Sequence, residues 1–321
     1  MRFVVIGAGA VGGVIGGRLF EHGHEVLLVA RGQNGAVIES NGLVLESPDG
    51  AVRLMIPTVA HPSDVSFGKA DVVILAVKSQ DTIGVLSALQ QCAPASLPIV
   101  CAQNGVENER SALRRFRDVY GMCVICPATH LVAGHVQANS APVSGLLDLG
   151  RWPRGTDGLA EAIAGALGES TFESQARDDI SRWKWAKLLM NLGNAVEAVC
   201  GHEEPASQLA ALAYEEGVAC LDAAGIDHAT PEEDAQRRAG LLTVRPIEGR
   251  ARGGGSTWQS LKRGARELET DYLTGEIVML GRIHGVPTPV NELVQGLANT
   301  MAAERREPGS IAPAEVLGML T

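Results

Sequence analysis

Arg2-Phe-Val-Val-Ile-Gly7-Ala8-Gly9-Ala10-Val11-Gly12 is the stretch that decides the fold of this 321-residue chain. Arg2 to Ile6 is a short apolar run that reads as a buried β-strand. The glycine-rich turn follows at once. A helix-like segment then runs to Glu21-His22-Gly23, and a second apolar run, Val26 to Val29, stops at Ala30-Arg31. Strand, glycine turn, helix and strand in that order are the context that a G-x-G-x-x-G dinucleotide fingerprint needs. Gly7 permits a tight turn, Gly9 lets a pyrophosphate approach the backbone, and Gly12 lets helix and strand pack closely. The intervening Ala8, Ala10 and Val11 place their amides at the helix N-terminus, where an anion is favoured. Taken as isolated glycines in a chain with 38 of them, the motif would be weak, so its position carries the reading.

The end of the second strand bears on which dinucleotide. An acidic residue there accepts from the ribose 2′-hydroxyl of NAD, whereas an arginine accommodates a 2′-phosphate. Arg31 occupies the position, with Gln33 and Asn34 close behind and no acid present. A guanidinium pairs bidentately with phosphate, so NADP(H) is the expected cofactor. The plainer alternative is a solvated loop arginine.

Working outward, two runs flank Pro48-Asp49-Gly50 and suggest a hairpin inserted between parallel strands. Asp71 to Val77 is a continuous apolar strand ending at Lys78-Ser-Gln80-Asp. Ile99 to Ala102 is another, ending at Gln103-Asn104-Gly105. Alternating strands and helices imply a parallel, doubly wound sheet. Ligands bind outside the carboxyl ends of such strands, where Gly7, Gly9, Arg31, Lys78 and Asn104 all fall. Short strands with Gly and Pro breaks extend to about Leu149. Beyond residue 177 nearly everything reads helical: Trp183 to Cys200, Ala206 to Ala224, Pro231 to Thr243, Ser256 to His284 and Asn291 to Glu304. The fold class is therefore α/β, an N-terminal Rossmann-type domain over 1–176 followed by an all-α domain over 177–321.

The net charge of −10 argues against a nucleic-acid partner. No apolar run is long enough to span a membrane, and the N-terminus enters a strand without a cleavage-site pattern. The six cysteines include Cys123 and Cys126 at redox or metal spacing, but no second pair or histidine partner follows. They read as buried, reduced thiols in a cytoplasmic protein, and no metal site is expected.

Chemistry concentrates in two stretches of the second half. In Trp183-Lys-Trp-Ala-Lys187-Leu-Leu-Met-Asn191-Leu-Gly-Asn194, one lysine and two carboxamides fall within about 60° of one another on a helix. A solvent-facing stripe is the bland reading. Asn is a poor helix former, however, and its repetition mid-helix favours a lined pocket. In Gly253-Gly-Gly-Ser256-Thr-Trp-Gln259 the serine and glutamine match a capping box for the next helix. That helix carries Glu267, Glu269 and Asp271. The spacing puts Glu267 and Asp271 on one face and Glu269 on another, without showing which meets Lys187.

Across essentially its whole length the chain resembles the ketopantoate reductase (2-dehydropantoate 2-reductase) family. The matching pieces are Gly7 to Gly12, Arg31, Val77-Lys78-Ser-Gln80, Gln103-Asn104-Gly105, Lys187 with Asn191, Ser256 to Gln259, and Glu269-Thr-Asp-Tyr272 followed by Gly275. The resemblance implies NADPH/NADP+ held by the first domain, with Arg31, Lys78, Gln80 and Asn104 among its contacts. Lys187 would be the general acid that protonates a keto oxygen as hydride arrives, and Glu269 would bind or orient the substrate. Asn104, Asn191, Asn194 and Ser256 would help hold it, Asn104 at an interdomain cleft. The family often has an asparagine eight residues after the lysine, where this chain has Ala195. The nearest is Asn194, turned by about 100° on a helix. One residue is also inserted between Gln259 and Glu269. The expected activity is reduction of 2-dehydropantoate to pantoate. The rivals are the same chemistry on a different branched or aromatic 2-keto acid, or an NADP(H)-sensing protein without turnover. The helix-rich half could support homodimer contacts.

Overall fold

The computed structural model describes residues 1–201 and 204–320. His202, Glu203 and Thr321, all within the second expected domain, lie outside the described residues. Its strands are β1 (Arg2–Ile6), β2 (Glu25–Val29), β3 (Leu43–Ser47), β4 (Gly50–Leu54), β5 (Thr58–Val59), β6 (Asp71–Leu75), β7 (Ile99–Cys101), β8 (Val119–Ile125), β9 (Ala128–Val132), β10 (His135–Ala138), β11 (Gly145–Arg151) and β12 (Phe172–Glu173). Eight of them form one sheet in the order β12-β11-β8-β7-β6-β1-β2-β5. Pairing is parallel from β8 through to β5, and only β11 runs antiparallel to its neighbour β8.

The two sides of β1 show why this sheet is buried on both faces. Phe3 and Val5 enter one apolar cluster with Val14, Ile15 and Leu19 of the helix Ala10–Glu21. Val4 and Ile6 enter the other with Leu86 and Leu89 of the helix Thr82–Cys92. A continuous apolar strand is what such a double-faced burial demands. The chain leaves β1 for β2 on one side and β6 on the other. The topological switch point thus lies between β1 and β6, at the end of the glycine turn.

The expected hairpin is present: β3 and β4 pair antiparallel with Ser47 opposite Gly50. It belongs to a separate four-stranded sheet, β4-β3-β10-β9. The helix Ala10–Glu21 lies between the two sheets, and its glycines make that possible. A Cβ at Gly16 would meet Leu28 of the main sheet at 2.8 Å, and one at Gly17 would meet Leu45 of the small sheet at 2.7 Å.

The chain divides into two compact units, Met1–Lys184 with Thr230–Arg252, and Trp185–Ala229 with Gly253–Thr321. The expected division at 176/177 differs from this in two ways. The unit boundary falls inside the helix Ile180–Cys200, and the segment 230–252 returns to the first unit. Ion pairs account for the return. Arg237 grips the buried Asp148 of β11 with both Nε (2.9 Å) and Nη2 (2.7 Å), and Arg182 Nη2 reaches Glu233 Oε2 at 3.0 Å. The helix there spans Pro231–Arg238 and ends before the expected Thr243, since Gly240 takes a φ of 72°. Among the described residues the regular elements of the second unit are all helical. The single helix expected over Ser256 to His284 is instead three pieces: Ser256–Lys262, a 3-10 turn at Glu269–Tyr272, and Thr274–His284. Gly264, at φ 71°, terminates the first piece. Among the described residues no helix is long and apolar enough to cross a membrane.

Candidate functional site

In the first unit the three fingerprint glycines separate by environment. Gly7 has φ 101°, and a Cβ there would stand 2.8 Å from the backbone of Ala76 and Val77. A Cβ on Gly12 would collide with the carbonyl oxygen of Gly7 and sit 2.8 Å from Ala76 Cβ. Gly9, by contrast, faces open space, with no atom within 4 Å of a built Cβ. Gly9 is also the N-cap of the helix Ala10–Glu21, which has no side-chain cap and no acid in its first turn. Unsatisfied amides beside an open backbone form a cradle that fits a pyrophosphate. Asn34 braces this loop from behind. Its Nδ2 donates to Ala8 O at 2.8 Å, while its Oδ1 accepts from Gly134 N at 2.7 Å.

Arg31 stands at the end of β2 with 76% of its side chain exposed, and its Nη2 lies 2.6 Å from Asp81 Oδ1. Asp81 closes the 3-10 turn Ser79–Asp81 beyond β6, for which Lys78 is the N-cap. Lys78 and Gln80 are half-buried on that turn.

Behind Asn104 lies a buried polar network that the sequence reading did not single out. Gln103 Nε2 donates to Val77 O and to Thr82 Oγ1, both at 2.8 Å. Thr82 Oγ1 donates to Asn108 Oδ1 at 2.7 Å, and Asn108 Nδ2 donates to Ser79 Oγ (3.0 Å) and Asn104 O (3.1 Å). Lys184 completes it, donating to Gln103 O at 2.8 Å and pairing with Glu109 Oε1 at 2.6 Å. Both partners are buried, at 2% and 0% exposure. Burial pushes the Glu109 carboxyl up, against the pull of the Lys184 charge. The result ties the segment that follows β6 to the segment that follows β7. The only sequence signal was the helical spacing of Asn108 from Asn104.

The cysteines are all free thiols. Cys126 is pushed up to about 12 by burial, which makes it a poor nucleophile or ligand.

In the second unit the helix Ile180–Cys200 brings three expected residues together. Lys187 Nζ donates to Asn191 Oδ1 at 2.7 Å. Asn194 Nδ2 reaches the same Oδ1 and Ser256 Oγ, each at 3.4 Å. Ala195 is 1% exposed, so Asn194 is the side chain that joins this polar row. Asn191 is 2% exposed, and its Nδ2 has no partner among the described residues. Because Lys187 fixes which end of the amide is oxygen, that buried donor is oriented away from the lysine.

Ser256 arrives by a route different from the expected capping box. The N-cap is Gly255, without a side-chain cap, and Ser256 is the first helical residue; Gln259 Nε2 donates back to Gly254 O at 3.1 Å. Gly255 N donates to Glu197 Oε1 at 2.8 Å, and a Cβ at Gly255 would come within 3.0 Å of Asn194 Oδ1. Three successive glycines let this segment lie directly against the helix. Glu197, one turn beyond Asn194, was missed, and helical spacing was its signal. The three acids also separate. Glu267 is exposed, and Asp271 is exposed and accepts from Gln295 Nε2 (2.7 Å) and Asn299 Nδ2 (2.8 Å). Glu269 is buried, at 6% exposure.

Residues 3–154 match the model described as ketopantoate reductase PanE/ApbA, and residues 179–302 match its C-terminal counterpart. A 2-dehydropantoate 2-reductase from Pyrococcus horikoshii is 26% identical over 306 residues, spanning 92% of this chain and 96% of that one. The crystal structure of a PanE/ApbA family ketopantoate reductase from Ralstonia eutropha superposes with a TM-score of 0.79 at 28% identity, over 95% of this chain and 99% of the other. A ternary structure of D-mandelate dehydrogenase with NADH and anilino(oxo)acetate shares the fold, with a TM-score of 0.80 at 23% identity over 95% and 99%.

Proposed function

We propose, for a chain that belongs to the ketopantoate reductase family and is an oxidoreductase using a nicotinamide cofactor, that it reduces 2-dehydropantoate to pantoate with NADPH. The observation that carries the reading is the row Lys187–Asn191–Asn194–Ser256, in which a lysine and a buried amide donor without a partner among the described residues share one helix face. A buried donor without a protein partner is costly unless a ligand or water takes it. The Asn191 Nδ2 suits an anionic keto acid, as does the Lys187 ammonium in a chain of net charge −10.

Each residue has a distinct part. Gly7, Gly9 and Gly12, with the amides of Ala10 and Val11, would hold the pyrophosphate. Arg31 would take the 2′-phosphate, and Lys78, Gln80 and Asn104 would contact the remainder from the ends of β6 and β7. When bound, the cofactor supplies the hydride. Lys187 gives a proton to the keto oxygen and stabilises its developing charge. Asn191 Oδ1, at 2.7 Å, keeps the ammonium aimed. Asn194 and Ser256 hold the substrate, and Glu269 orients it. In this division of labour the first unit serves the cofactor and the helical unit the substrate, with homodimer contacts assigned to the helical unit.

A second reading keeps the chemistry and changes the acid. Asn194 stands where the family often has its asparagine one residue later, and the shared fold also serves an enzyme bound to anilino(oxo)acetate. Oxidation of NADPH and NADH by the purified protein, measured against 2-dehydropantoate and a panel of aliphatic and aromatic 2-keto acids, tests both. Preferential turnover of 2-dehydropantoate with NADPH is expected. Preference for an aromatic acid moves the substrate and keeps the reductase, whereas binding of NADPH without any turnover sinks the reading in favour of a sensor.

A further inference from the structure

Arg31 and Asp81 come from the ends of β2 and β6, the two strands that flank β1. Their 2.6 Å ion pair therefore spans the carboxyl end of β1, beside the glycine cradle. From this placement we infer that Asp81 is a specificity-determining residue: its carboxylate competes with the cofactor's 2′-phosphate for Arg31 and weakens the preference for NADPH over NADH. The inference rests on the assignment of NADPH to this cradle.

The physical case has three steps. The guanidinium already has an anion on Nη2, so a 2′-phosphate must displace Asp81 or share the arginine with it. Sharing places a phosphate beside a carboxylate, which is repulsive. Displacement is feasible because the pair is exposed, at 76% for Arg31 and 33% for Asp81, and exposed pairs are weak. NADH has no 2′-phosphate and leaves the pair intact. Asp81 thus penalises one cofactor and not the other. It is also an acid placed beside the ribose end of the site from β6, where the end of β2 supplies none.

The test is direct binding of NADPH and NADH to the full chain and to Asp81→Asn, Arg31→Ala and the double variant. Asp81→Asn should raise the NADPH/NADH affinity ratio roughly two- to fivefold, the worth of an exposed ion pair. The gain should vanish in the Arg31→Ala background. A fold defect would move both cofactors together, so the ratio separates it from competition. A lower ratio in Asp81→Asn overturns the inference, since Asp81 would then be positioning Arg31 for phosphate. An unchanged ratio, or a gain that survives without Arg31, overturns it as well. If Arg31→Ala alone lowers the ratio while Asp81→Asn does nothing, the inference fails and the NADPH assignment stands. If Arg31→Ala leaves the ratio unmoved, both fail.

Discussion

The glycine cradle of the first unit and the polar row of the second are built on opposite plans. The cradle is made of backbone: Gly7 and Gly12 are locked by contacts within 3 Å of where a side chain would begin, and Gly9 is left open between them. Its shape is set by what cannot be there. The polar row is made of side chains, four of them linked through one amide oxygen and one hydroxyl, at 2.7 to 3.4 Å. A backbone site tolerates no added atom at its packed positions, whereas a side-chain site can lose a member and keep its fold. The two should therefore fail in different ways when mutated.

The largest effect is expected at Lys187. Lys187→Ala should lower kcat by about 10²- to 10⁴-fold, the usual range for a positioned proton donor. Cofactor affinity and thermal stability should hardly move, because a half-buried lysine on a helix face leaves no packed void. Stopped-flow single-turnover rates alongside cofactor titration would check this. A drop in cofactor affinity of the same size as the drop in kcat would place Lys187 among binding groups and remove its role as acid.

The cradle should show the reverse pattern, and within it the glycines should split. Gly12→Ala forces a Cβ against the Gly7 carbonyl and Ala76, and overpacking of that kind costs about 1–3 kcal/mol or more. Chemical denaturation should reveal it without cofactor present. Gly9→Ala meets nothing, so its unfolding free energy should stay within about 0.5 kcal/mol of the parent. Cofactor affinity should nevertheless fall, because the new methyl would enter the space proposed for the pyrophosphate. Equal destabilisation by the two would mean that Gly9 is a packing glycine like its neighbours.

The same contrast decides what the sequence made legible. A packed backbone leaves a trace at fixed spacing, because only glycine fits: Gly7 and Gly12 could be read as the tight positions of the motif, with Gly9 as the open one between them. Strand identity was also readable, since burial on both faces forces unbroken apolar runs such as Asp71 to Val77. On the helix, Lys187, Asn191 and Asn194 share a face by periodicity alone. Contacts that close across long sequence separations left no such trace. Nothing local announces that Asp81 meets Arg31, that Glu109 meets Lys184, or that Arg237 meets Asp148 and carries the segment 230–252 back to the first unit. The break of the expected Ser256–His284 helix turned on one left-handed glycine, Gly264, which costs a helix little enough to be overlooked. The choice of Glu269 over Glu267 and Asp271 as the buried acid followed from that break, since the 3-10 turn resets the helical phase.

The smallest effect lies at the other end of the strands that frame the cradle. Arg2 and Asp71 are opposite one another in the β1–β6 register, and Arg2 holds Asp71 through Nε (2.8 Å) and Nη2 (2.7 Å). Burial alone would raise the Asp71 carboxyl. The Arg2 hydrogen bonds, the Gly68 amide and the Arg2 charge outweigh it and hold the group below the usual aspartate range. A depressed carboxyl contributes stability that is complete above its unfolded pKa of about 3.9 and is lost as pH falls through the lower folded value. Asp71→Asn should therefore cost about 1 kcal/mol at neutral pH, and the deficit against the parent should shrink as the parent's own Asp71 protonates in acid. Urea unfolding of both proteins at neutral pH and near pH 3 would check the convergence. A gap that stays constant with pH would assign the loss to the Gly68 turn and the packing around it. The amino ends of β1 and β6 would then be held, like their carboxyl ends, by backbone fit.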